Sequence, residues 1–191
     1  MFIDDMSSFR VAELLVTFLG LGRSRLCPGT LASVATIPLW FLMISVTSYL
    51  GSRNPILVMA IAILGLFFLA LETVGTYVGK AGGGDDPSEV VIDEVIGQLL
   101  SFLISLFLFI PIGSAGFEFL RDEHPYLLQT FSFVTPVVLF RIYDIVKPGI
   151  IGTIDSKMKS PLGIILDDVV AGLFAGLTNL LLFRVLWLFV L

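Results

Sequence analysis

Long uncharged stretches constrain this chain more than any other feature. Residues 31–50, 55–71, 95–117 and 125–140 contain no Asp, Glu, Lys or Arg, and residues 169–191 contain only Arg184. A membrane-spanning helix needs about 20 apolar residues, within a range of about 17–25. Five spans are therefore expected, and the shortest stretch, 125–140, crosses only if its helix starts in the headgroup region. Composition agrees. Of 191 residues, 57% are hydrophobic and 14% charged, with a mean hydropathy of +1.01. Soluble domains carry about 25% charged residues. Disordered, collagen-like and disulfide-scaffold classes are excluded. The expected fold is all-α, a multi-pass integral membrane helical bundle in a single domain, 1–191, with residues 1–17 peripheral. Residues 9–22 read as an amphipathic helix at the membrane surface or as a short buried one. Asp4, Asp5 and Glu13 do not fit a secretory signal.

Several chemistries drop out on counts alone. One cysteine, Cys27, makes neither an internal disulfide nor a Cys-based zinc site. One histidine, His124, excludes two-histidine phosphatase chemistry. The 11 basic residues are diluted among 16 acidic ones, so nucleic acid is not a partner.

Five spans put alternate connections on opposite sides. One side collects Arg10, Arg23, Arg25, Lys80, Arg141, Lys147, Lys157 and Lys159, while the other has Arg53 and Arg121. This asymmetry assigns the first side to the cytoplasm. Most acids, including Asp85, Asp86, Glu89, Asp155 and the pairs at 93–94 and 167–168, belong to that side or its membrane edge.

Two distant segments resemble each other: P-S-E-V-V-I-D-E-V-I-G at 87–97 and P-L-G-I-I-L-D-D-V-V-A-G at 161–172. In each, a proline precedes an acidic pair by six and seven residues. Asp86 and Pro87 are expected to open the first helix, with Glu89 completing a capping box. Ser160 and Pro161 open the second. Seven residues at about 1.5 Å each put the pairs about 10 Å inside their helices. Both helices start on one side, so they run parallel. Asp93, Gly97, Ser101 and Ser105 recur at intervals of four, as do Asp168, Gly172 and Gly176. Small residues at that spacing let membrane helices approach closely. The stripes are expected to face each other or a shared neighbour and to bring Asp93 and Asp168 together. Carboxylates converging near lipid need a cation. An oxygen-only set, Asp93, Glu94, Asp167 and Asp168, favours Mg²⁺.

F-R-I-Y-D-I-V-K-P closes the fourth span. Arg141 and Lys147 suit a phosphate, and Asp144 joins the metal ligands or orients Arg141. Snorkelling anchors are the bland alternative. In G-R-S-R-L-C-P-G-T-L-A-S, Thr30 is expected to cap the next helix, whose free N–H groups suit an anion. Together these features suggest phosphoryl chemistry on a membrane lipid. A cation-coupled transporter using the buried carboxylates is the alternative.

P-G-T-L-A-S, I-D-E-V-I-G, F-R-I-Y-D-I-V-K-P and I-L-D-D-V-V-A-G, in this order, resemble the bacterial phosphatidylglycerophosphatase A family over residues 18–183. The resemblance implies a Mg²⁺-dependent enzyme of the bacterial inner membrane with its active site facing the cytoplasm. Its partner is a membrane phospholipid, phosphatidylglycerol phosphate, whose terminal phosphate it removes to give phosphatidylglycerol. By motif match the functional positions are Asp93, Glu94, Arg141, Asp144, Lys147, Asp167 and Asp168. Ala32 departs from the family, standing where glycine is common after P-G-T-x.

Overall fold

The computed structural model describes residues 2–81, 87–108 and 112–190, and among them there is no strand. Nine α-helices follow in order: α1 (Phe2–Val16), α2 (Pro28–Tyr49), α3 (Pro55–Ala81), α4 (Ile92–Ser105), α5 (Gly113–Glu123), α6 (Pro125–Gln129), α7 (Thr135–Val146), α8 (Ile150–Lys157) and α9 (Pro161–Val190). Four helical stretches are long and apolar enough to cross a membrane: Pro28–Tyr49, Pro55–Lys80, Pro125–Val146 and Pro161–Phe189. The bent pair Ile92–Leu108 and Gly113–Glu123 makes a fifth if taken as one span.

The 95–117 stretch, expected as a span, is therefore bent. α4 tightens into a 3₁₀ turn at Leu106–Leu108, and α5 departs at 107°. At the start of α5, Gly113 adopts φ 64, a backbone region open to glycine. The 125–140 stretch, in contrast, lies in one long helix through α6 and α7.

A single π turn, Thr130–Val134, joins α6 to α7. Pro136 has no N–H to offer the Phe131 carbonyl across that wider turn. Asn179 of α9 fills the place: its Nδ2 donates to Phe131 O at 2.8 Å and to Ser105 Oγ at 2.9 Å.

The N-terminal expectation needs correction as well. α1 begins at Phe2 and packs along α3. Phe9 stacks on Tyr77, with centroids 5.7 Å apart, and Ala12 and Val16 are buried. Val11 and Leu14 are exposed, so over 8–16 the apolar residues of α1 are not gathered on one face. Over that stretch it is a docked helix without a clear amphipathic division.

α4 and α9 form the heart of the bundle, side by side and parallel. A Cβ built on Gly172 would fall 2.1 Å from the Gly97 carbonyl oxygen, and one on Gly97 would fall 2.5 Å from Asp168 O. A Cβ on Gly176 would meet Ile104 and Ser101. One level further, Asn179 meets Ser105. The two small-residue stripes therefore meet in register, and side-chain-free contact is what allows it.

Candidate active site

The same register carries the acids. Asp93 and Asp168 stand one turn before Gly97 and Gly172, so the close approach of the backbones brings their side chains together. One oxygen from each of Asp93, Glu94 and Asp168 lies within 4.8 Å of the others. Asp93 and Asp168 are buried, and Glu94 is nearly so. The Glu94 N–H donates to Asp93 Oδ1 at 3.0 Å. Glu94 Oε2 is buried and makes no hydrogen bond within the protein. A compact, oxygen-only donor set with an unused buried oxygen fits a hard divalent cation.

The depths of the two acidic pairs differ from expectation. α9 starts at Pro161, with Ser160 Oγ accepting from the Gly163 N–H at 3.2 Å, and its acids lie two turns in. α4 starts only at Ile92, so Asp93 and Glu94 occupy its first turn. The expected cap, Asp86, lies outside the described residues. The capping box expected between Asp86 and Glu89 lies outside the described residues with it, and Glu89 stands before the α4 start. Glu89 accepts a hydrogen bond from Tyr77 Oη at 2.9 Å and faces Arg23 Nε at 3.7 Å. Residues 87–90 form a turn closed by Val90 N–H donating to Pro87 O at 2.9 Å, and the segment is tied down by Val91 N–H donating to Val16 O at 2.8 Å. First-turn placement still favours acids, because the helix dipole is positive there.

Basic groups close the other wall. Arg141 Nη1 lies 2.6 Å from Asp144 Oδ2 and 3.8 Å from Glu94 Oε1. Nη1 is thus ion-paired without a well-aligned hydrogen bond, and Nε is a buried donor with no hydrogen-bond partner in the protein. Gly29 makes room here: a Cβ on it would sit 2.0 Å from Glu94 Oε1 and 3.0 Å from Arg141 Nη1. α2 begins at Pro28 after Cys27, which takes φ 44 and has no side-chain cap bond. The cap is therefore Cys27, and Thr30, the expected cap, is an exposed first-turn residue on the cavity wall. First-turn N–H groups of α2, the positive end of its dipole, face the same space as Arg141.

Lys147 ends α7 at φ 48, with its N–H donating to Tyr143 O at 2.9 Å. This left-handed cap turns the side chain back toward α8 and α9. Nζ donates to Asp155 Oδ1 at 2.6 Å and to Asp167 Oδ2 at 2.7 Å. Burial pulls the ammonium's pKa down, but the hydrogen bonds to Asp155 and Asp167 outweigh it and hold the group above the ordinary lysine value. Asp167 is thus engaged by Lys147 rather than gathered with the carboxylate trio, and its Oδ1 is buried without a partner.

One cavity of about 350 Å³ is lined from Cys27 to Thr30 on one rim, through Asp93, Glu94, Arg141, Asp144 and Lys147, to Asp167 and Asp168. Four segments remote in sequence meet there. Asp155, Gly29 and the Tyr77–Glu89–Arg23 contacts were missed by sequence reasoning. Gly29 alone had a local signal, the Pro-Gly turn at a helix start.

The family model of phosphatidylglycerophosphatase A matches residues 14–183. The chain belongs to this family. Phosphatidylglycerophosphatase A of Escherichia coli (strain K12) is 30% identical over 169 residues, covering 86% of this chain and 78% of that protein. The Haemophilus influenzae protein of the same name is 27% identical over 173 residues, covering 91% and 89%. A Bacteroides thetaiotaomicron protein named as a putative phosphatidylinositol-3-phosphatase is 30% identical over 166 residues, covering 85% and 87%. No solved structure matches the chain. As a phosphatidylglycerophosphatase A family member the chain is a phosphatase with membrane-spanning helices, and the family match extends over all four segments that build the cavity.

Proposed function

We propose that this chain is a Mg²⁺-dependent phosphatase acting at the cytoplasmic leaflet of the bacterial inner membrane. It removes the terminal phosphate monoester of phosphatidylglycerol phosphate and yields phosphatidylglycerol and inorganic phosphate. One observation carries the reading. A carboxylate trio and a half-buried arginine whose buried Nε has no hydrogen-bond partner share one cavity. That pairing suits an anionic group approached from one side by a cation and from the other by a guanidinium.

Asp93, Glu94 and Asp168 would hold Mg²⁺, which when bound supplies polarisation of a phosphoryl oxygen. Arg141 binds and orients the phosphate through Nε and Nη1, and the Gly29 and Thr30 N–H groups add donors at the α2 start. Asp144 holds the Arg141 guanidinium in place. Lys147 fixes one oxygen of Asp167. The other, Oδ1, is available to take a proton from an attacking water as the water oxygen bonds to phosphorus and the phosphorus–glycerol oxygen bond breaks. The leaving glycerol oxygen takes up a proton from water, and Asp167 returns its own to water, so the step balances. The excess of lysine and arginine on this end of the bundle supports a cytoplasmic location.

The test is phosphate release by the purified protein from phosphatidylglycerol phosphate and from phosphatidylinositol 3-phosphate, with Mg²⁺ or with EDTA. Release from the first lipid with Mg²⁺, its loss in EDTA and its return on adding Mg²⁺ are expected. Preference for the inositol lipid would move this chain toward the Bacteroides relative's named substrate. Full release after thorough chelation would remove the metal. Ion or solute movement without phosphate release would favour the transporter.

A further inference from the structure

Directly beneath the carboxylate cluster lies a polar side chain that the proposed chemistry does not use. Gln98 is fully buried, and neither its amide nitrogen nor its amide oxygen has a hydrogen-bond partner within the protein. Ser101, also fully buried, has an unpartnered hydroxyl. Burying an amide with both ends unmet is costly in any protein, and more so away from water.

The packing of α2 against α4 shows where Gln98 points. Glu94, Gln98 and Phe102 are spaced by four and share one face of α4. Both ends of that face touch α2: Gly29 abuts the Glu94 carboxylate, and the Trp40 ring lies 5.7 Å from that of Phe102. Gln98 therefore faces α2 between Gly29 and Trp40. The α2 residues on that stretch include Ser33 and Thr36, both fully buried. Ser33 Oγ donates to Gly29 O at 2.9 Å and Thr36 Oγ1 to Ser33 O, which leaves each hydroxyl oxygen free to accept. Glu94 Oε2, one turn above Gln98, is likewise without a partner.

We propose that Gln98 is a positioning residue for the cluster: with Ser33, Thr36 and Ser101 it holds internal water against Glu94 Oε2 and so fixes that carboxylate. Each buried water takes about three hydrogen bonds from polar groups otherwise unmet. The donor and acceptor inventory on this stretch supplies them. The inference rests on Glu94 being a metal ligand. Groups that orient a ligand from behind set its affinity for the ion.

Mn²⁺ binding to the purified full-length chain in detergent, without lipid substrate, tests this through the loss of the free-ion EPR signal. Gln98→Met keeps length and volume but removes the amide. Gln98→Asn keeps the amide and leaves space for one further water. The expected result is a Kd raised about 10–100-fold in Gln98→Met and by no more than about threefold in Gln98→Asn. A mere packing role predicts the reverse order, with Met tolerated and Asn damaging. Wild-type affinity in Gln98→Met, or equal weakening in both, overturns the proposal. If Gln98→Met does not fold, the double variant Ser33→Ala with Ser101→Ala should weaken Mn²⁺ in the same direction, and unchanged affinity there is equally fatal. Glu94→Gln separates the two levels. Loss of Mn²⁺ there with none in Gln98→Met defeats this inference alone, whereas unchanged binding in both defeats the metal reading with it.

Discussion

A guanidinium inside a membrane protein must be answered by charge, and Arg141 is answered only in part. Asp144 and Glu94 supply negative charge to Nη1, yet the buried Nε has no hydrogen-bond partner. Replacing Arg141 by Ala should lower kcat/KM about 10²–10³-fold, the scale of losing one charge-stabilising donor. Arg121, exposed and paired with its neighbour Asp122, should tolerate Ala with a change of about twofold or less, since such surface pairs contribute little. Phosphate release by membranes carrying each variant decides this, and equal losses would undo the assignment. Asp168→Asn should abolish release while leaving the protein in the membrane fraction. Lys147 makes a different, pH-dependent prediction. Its folded pKa is raised, so the stability it contributes is fully present below the unfolded lysine value of about 10.4 and fades as pH rises through the folded value. The difference in Tm between the wild type and Lys147→Met should stay level from neutral pH to that value and shrink beyond it. A difference that vanished below pH 9 would contradict the ion pairs.

At the level of elements, the contact of α4 with α9 was legible because small residues every four positions mark a strip that a second helix backbone can approach closely. Gly97 and Gly172 meet as that pattern demands. Gly172→Val should force the helices apart, at about 1–3 kcal/mol or more for overpacking, and activity should fall with Tm. Gly65→Ala on α3 places its Cβ in open space and should change neither. Equal behaviour of the two variants would mean the close crossing is unimportant. Element ends were read less well. A proline at 87 looks like a helix start, but a turn closed on the Pro87 carbonyl and the tie between Val91 and Val16 keep 87–91 out of the helix, and no local pattern announces a bond to a residue 75 positions away. The pairing of Lys147 with Asp155 was hidden for a similar reason. It depends on a left-handed cap at Lys147, which the following Pro-Gly hints at without aiming the side chain. Charge-free stretches gave the spans, yet they missed the bend between α4 and α5 because Gly113 is uncharged.

For the whole molecule, the sidedness of charge and the location of the cavity make one joint statement. The end of the bundle rich in lysine and arginine is also the end where α2, α4 and α9 begin and α7 finishes. Cys27, the single cysteine, is exposed at the cavity rim and reports on that end. A membrane-impermeant maleimide should label it in inside-out vesicles and not in intact spheroplasts. The opposite pattern would place the site on the outer face. Phosphatidylglycerol phosphate added during labelling should slow the reaction.

The in-register meeting of α4 and α9 also fixes when in its life the enzyme becomes competent. Asp93 and Glu94 leave the ribosome long before Asp168, which belongs to α9. Until that helix inserts, the earlier segments have no neighbour for Gly97 to rest against and no third carboxylate. A nascent chain halted after α8 would thus sit in the bilayer with an unfinished, inert centre. Competence arrives with the insertion of α9, in one step.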